Sequence, residues 1–148
     1  MLRVLAVLLV VLHANGASAG DDAPNREAYL GHILCARTVM VSFDTFLGAC
    51  QMDEEKDVQE NIRRNIDTFD NFIENIFEIE KDKIIPRKED LTDELFRIKN
   101  FLGNDRFYSM CRQRWSKIKE DGLMTKIINE ITEKDLQEMS RITASACF

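Results

Sequence analysis

Two histidines, two prolines and six glycines in 148 residues leave this chain poor in catalytic imidazoles and in chain breaks. Beyond the N-terminal apolar stretch the only histidine is His32, set in an apolar segment with no acidic residue three or four positions on. A hydrolase or transferase needs a nucleophile, a base and a means of stabilising charge. No Gly-x-Ser-x-Gly, Walker loop or Gly-rich dinucleotide turn occurs. No catalytic residue is expected, and the chain reads as a non-enzyme.

Metal sites are equally short of ligands. Cys35, Cys50, Cys111 and Cys147 lack the close pairs of a zinc module. One histidine cannot supply the two Glu-x-x-His motifs of a di-iron bundle. The run Asp53-Glu54-Glu55-x-Asp57 has neither the alternation nor the glycine of an EF-hand loop. It suits a helix N-terminus, where negative charge is favoured. No metal or other cofactor is implied. With 20 basic and 26 acidic residues the net charge is −6, which argues against nucleic acid as a partner.

What is present begins at the N-terminus. Met1-Leu2-Arg3 is a short positive lead, Val4–Leu12 an unbroken apolar run, and Ala17-Ser18-Ala19 supplies small residues at −3 and −1. That pattern predicts a secretory signal over 1–19, cut after Ala19, followed by a single helical domain over 20–148. A membrane anchor needs about 20 apolar residues, more than this run supplies, so stable insertion is not expected. The predicted localisation is secreted and extracellular, where an even cysteine count favours two disulfides.

Scarce proline and glycine go with helical periodicity almost throughout. A first helix is expected from near Asp22 or Asn25 to Leu47, apolar over most of its circumference between Ile33 and Leu47, and therefore the buried centre. Gly48 is expected to loosen its end. A second, with Asp53 as N-cap, carries Val58, Ile62, Ile66, Phe69, Ile73 and Ile76 and is predicted to continue to Lys83, before Ile85-Pro86. On its polar face Glu60 and Arg64 have the spacing of an ion pair. Thr92 is the expected N-cap of a third element with Leu95, Phe96, Ile98, Phe101 and Leu102 inward. Gly103-Asn104-Asp105 marks a break or a restart, after which Phe107, Cys111, Trp115 and Ile118 share a face as far as Gly122, a natural terminator. Leu123, Ile127, Ile128 and Ile131 follow, then a Thr132-Glu133-Lys134-Asp135 cap signature and Leu136, Met139 and Ile142. The fold class is all-α: a disulfide-braced bundle of about four main helices, the last two each open to one break.

A shared helix would separate Cys35 and Cys50 by about 22 Å, whereas a disulfide tolerates about 7 Å between Cα atoms. Those two cannot pair. An up-down arrangement then favours Cys50–Cys111 and Cys35–Cys147 over the reverse, because the axial offsets are smaller.

Two features offer function. Arg106, Arg112, Arg114, Lys117 and Lys119 make a basic segment on an acidic chain, a candidate patch for an extracellular protein, an acidic receptor or a sulphated glycan. Met40, Phe43, Phe69, Phe72 and Phe77 are candidate lining for a cavity that would carry a small hydrophobic ligand. The Cys-x-x-x-Cys spacing of helical odorant-binding proteins is missing. Four helices with two long-range disulfides follow the general plan of helical cytokines, and Trp115-x-Lys117-Ile118-x-x-x-Gly122-Leu123 resembles the approach to the last helix of interleukin-10-like cytokines. The cysteine spacing departs from that family, and the likeness assigns no residue a role. Extracellular macromolecular recognition, by a cytokine-like ligand or secreted effector, is the expected function, and carriage of a hydrophobic molecule is the alternative.

Overall fold

A computed structural model describes residues 26–120 and 129–138, and all its regular elements are helical. They are α1 (Arg26–Ala49), α2 (Lys56–Phe77), α3 (Lys88–Leu102), α4 (Asn104–Glu120) and the short α5 (Glu133–Glu138), with 3₁₀ turns at Asp53–Glu55 and Lys81–Lys83. The proposed signal, its cleavage site, the Asp22 or Asn25 cap, Gly122 and the residues from Met139 onward lie outside the described residues.

Helix α1 is the centre, as its apolar circumference requires. Ile33, Ala36, Met40, Val41 and Leu47 are buried along it. Its length and composition would suffice to cross a membrane. Here it packs against α2 and α3, sets Phe43 and Phe46 against Trp115 of α4, and buries Arg37 and Asp44 with partners, the behaviour of a core helix. Thr38, Ser42 and Thr45 donate their hydroxyls to the carbonyls of Leu34, Thr38 and Val41, so these polar residues cost the apolar helix little.

Helix α1 stops at Ala49, one residue beyond Gly48. Gln51 takes a left-handed φ of 52°, its N–H bonds to Gly48 O, and Met52 N–H bonds to Leu47 O. This is a Schellman closure, completed by burial of both Leu47 and Met52. Asp53 does not cap α2: it opens the 3₁₀ turn, and Glu55 occupies the cap position without a capping side chain.

Helix α2 runs antiparallel to α1, with Tyr29 beside Phe72 and Phe77 at one end and Asp44 bonded to Gln59 and Arg63 at the other. It stops at Phe77, six residues short of the expected end, because Glu78 enters the left-handed region (φ 60°). The chain then turns to bury Ile84 and delivers Pro86 O to Arg37 at 2.9 Å. A straight continuation to Lys83 would carry it away from both contacts. The Glu60–Arg64 pair is not formed, since Arg64 donates to Asn61 Oδ1.

Helix α3 begins at Lys88, earlier than expected. The Asp90 carboxylate accepts the Arg87 backbone N–H at 3.1 Å, while Thr92 sits inside the helix with its hydroxyl on Lys88 O. No α3 residue is fully buried. The inward line is Leu91, Leu95, Ile98 and Leu102, all half-buried, whereas Phe96 (61% exposed) and Phe101 (85% exposed) face outward. Gly103, at φ 76°, breaks the chain, and α4 turns back along α3 so that Lys99 Nζ lies 2.8 Å from the Tyr108 hydroxyl.

Phe107, Cys111 and Trp115 are buried on α4, as their spacing predicts. Cys111 is bonded to Cys50, and Trp115 packs edge-on to Phe43 and tilted to Phe46, which sets α4 antiparallel to α1. Cys50–Cys111 is the pairing that the up-down arrangement favours. Cys35 is also disulfide-bonded, with its partner outside the described residues. Thr132 and Asp135 form a reciprocal box at the start of α5. Leu136 is buried, and its carbonyl accepts the Tyr29 hydroxyl at 2.7 Å.

Candidate functional site

The basic residues lie on α4, and the geometry of that helix divides them. Phe107, Cys111 and Trp115 define its inward line. With 3.6 residues per turn, Arg106 and Lys117 lie within about 20° of each other on one flank, with Arg114 about 60° further round. Arg112 and Lys119 fall on the opposite flank, at least about 120° away from Arg106 and Lys117. The five do not form one patch. All are exposed by residue, but among the described residues only Lys119 is ion-paired.

Lys119 reaches Glu55 at 2.7 Å, joining the end of α4 to the entry of α2. Burial pushes the Glu55 carboxyl upward, but the Lys119 ammonium and the Trp115 indole N–H outweigh it and hold its pKa below the ordinary value. The indole N–H makes no regular hydrogen bond, and among the described residues it is the one buried side-chain polar atom so left. Lys119 is thereby committed to the fold. Among the described residues Arg106, Arg114 and Lys117 make no ion pair, nor does Arg112 on the other flank. Of the acidic residues on α4, Glu120 borders this flank, about 60° from Lys117, and accepts the Ser116 hydroxyl at 3.2 Å, whereas Asp105 lies about 100° round the helix from Arg106.

A second charged group lies between α1, α2 and the start of α3. Asp44 Oδ1 accepts Gln59 Nε2 at 2.9 Å and Arg63 Nε at 2.8 Å, while Oδ2 meets Lys88 Nζ at 2.5 Å. Burial pushes the Asp44 carboxyl upward, yet hydrogen bonds and charge from Lys88 and Arg63 bring its pKa below the ordinary value. About two turns away, the buried Arg37 pairs with Asp70 and donates to Pro86 O. An open depression of about 310 Å³ lies here, lined by Arg37, Val41, Asp44, Arg63, Ile66, Asp67 and Lys88. Its opposite charges largely cancel, and its cations already hold carboxylates, so the cluster joins three helices rather than presenting free charge.

The candidate cavity residues are packed. Met40, Phe69 and Phe72 are almost fully buried, Phe77 nearly so and Phe43 half-buried. Phe72 and Phe77 stand edge to face at 6.4 Å, with Tyr29 against both, whereas Phe43 belongs to a separate group around Trp115. A second open depression, of about 270 Å³, is lined by other residues, from Leu47 to Arg63. Neither depression touches the five candidates.

The sequence reading passed over Asn65, Arg37 and Asp44, all buried. Asn65 lies beside the apolar stripe of α2, and Arg37 and Asp44 interrupt an apolar helix. Such placement signals a partner without naming one. No protein-family model, characterised protein or solved structure matches this chain.

Proposed function

We propose that this is a secreted, non-enzymatic recognition protein, freed of residues 1–19 and acting outside the cell on an acidic macromolecule. Recognition takes place through the flank of α4 that carries Arg106, Arg114 and Lys117. One observation carries the reading: three exposed cations on one flank have no ion-pair partner among the described residues, on a chain whose net charge is −6. Arg112, also without an ion pair among the described residues, stands apart on the other flank, whereas these three fall together on a protein with acids to spare for pairing them. The disulfides fit an oxidising compartment.

The test is salt-dependent binding of the labelled, secreted protein to a panel of cultured cells. Charge reversal by R106E/R114E/K117E should abolish binding, and R112E, on the other flank, should retain it. Equal binding by the triple variant and the wild type overturns the reading. Intact mass of the secreted product should show a chain beginning at Gly20 and lacking the four hydrogens lost in two disulfides.

A further inference from the structure

The shape of the α4 flank narrows the partner, given the reading just proposed. Arg106, Lys117 and Arg114 span about 16 Å of a straight helix, with the uncharged Gln113 among them. The strip is convex, and its apolar member, Met110, is half-buried. No aromatic residue lies on it.

Those features suit one class of polyanion. Folded proteins bind tightly through aromatic or aliphatic anchors that exclude water. Exposed ion pairs alone contribute little each. A linear polyanion differs, because each cation that docks releases condensed counterions, and repeating charges along the chain rebind in succession. Single-stranded nucleic acid would look for stacking rings, which the strip lacks. Guanidinium groups present paired N–H donors to tetrahedral oxyanions, and two of the three cations are arginines.

We infer that the flank of α4 carrying Arg106, Arg114 and Lys117 is a binding strip for a linear sulphated glycan, whose sulphates meet these three side chains. The repulsion expected from the acidic remainder of the protein makes binding depend on this strip, with Arg112 and Lys119 facing elsewhere. Lys119 is additionally held by Glu55.

The full secreted protein would be passed over immobilised heparin at low salt, with an uncharged dextran matrix as control. Wild type should be retained on heparin alone, with affinity falling roughly fivefold per doubling of NaCl if three cations displace counterions. R106E/R114E/K117E should flow through with an unchanged far-ultraviolet spectrum, and R112E should elute with wild type. Flow-through of the wild type, or co-elution of the triple variant with it, overturns the inference. Combined heparinase and chondroitinase treatment of the cells separates this from the broader reading. Binding that resists both enzymes but is lost in the triple variant places an acidic protein on the strip and overturns the glycan. Binding that the triple variant keeps removes the broader reading as well.

Discussion

Asn65 Oδ1 accepts the backbone N–H of Ile131 at 3.0 Å, across 66 residues of chain, while its Nδ2 donates to Asn129 O at 3.0 Å. A single amide on α2 therefore supplies both an acceptor and a donor to the segment leading into α5. With the Tyr29 hydroxyl on Leu136 O, it holds the last described segment against the α1–α2 pair. Burial, which raises the Tyr29 pKa, keeps that phenol a donor.

Asn65→Leu removes both bonds, one to the half-buried Ile131 and one to the exposed Asn129. The expected cost is about 1–3 kcal/mol, the net worth of two hydrogen bonds. Urea unfolding should show it, and amide exchange should accelerate first at residues 129–138. Unchanged exchange there would mean that the amide does not hold the segment.

Asp44 sets an acid limit. Its folded pKa is below its unfolded one, so the unfolded state takes up the proton more readily. The resulting stability is fully present above about pH 4, near the unfolded value, and is lost as pH falls through the lower folded pKa. Asp44→Asn should cost about 1–3 kcal/mol at pH 7, because Lys88 and Arg63 lose a charged acceptor but still reach solvent. Its acid unfolding should also become shallower. An unchanged acid limb in Asp44→Asn would assign that sensitivity to other carboxylates.

The two phenylalanines that flank the Gly103 corner should behave oppositely. Phe107 is fully buried, and Phe107→Ala should cost about 3–5 kcal/mol. Phe101 is 85% exposed, and Phe101→Ser should change stability by less than about 0.5 kcal/mol. Comparable losses in the two variants would show that Phe101 is covered in solution.

Cys50 and Cys111 close a loop with a sequence separation of 61. The C50A/C111A double variant should be less stable by about 4 kcal/mol, from restored freedom in the unfolded chain. Equilibrium denaturation without reductant measures this. A loss below about 1 kcal/mol would mean that the unfolded chain is already compact across this loop.

Much of this architecture was legible in the sequence. Apolar periodicity picked out α1 as the centre and Phe107, Cys111 and Trp115 as the inward line of α4, because burial follows the period of a helix. The Thr132–Asp135 box was legible because both partners lie within one turn. The end of α2 was not. Glu78 carries no local mark of left-handed geometry, and the stop there depends on where Ile84 and Pro86 must arrive. Phe96 and Phe101 were mistaken for inward residues because hydrophobic identity outweighed position, whereas Leu91, Leu95, Ile98 and Leu102 hold the spacing that faces α1 and α4.

The same division applies to the candidate site. Sequence by itself determined that the chain is helical, that four separated cysteines favour bridges over zinc, and that α4 is basic on an acidic protein. Those conclusions rest on residue identity, composition and spacing. Tertiary structure decided which cations are already occupied. Lys119 meets Glu55, and Lys88 and Arg63 meet Asp44, while Arg106, Arg114 and Lys117 make no ion pair among the described residues. A charge is neutralised by what lies within a few ångströms, and the partners of Lys119, Lys88 and Arg63 come from distant parts of the chain.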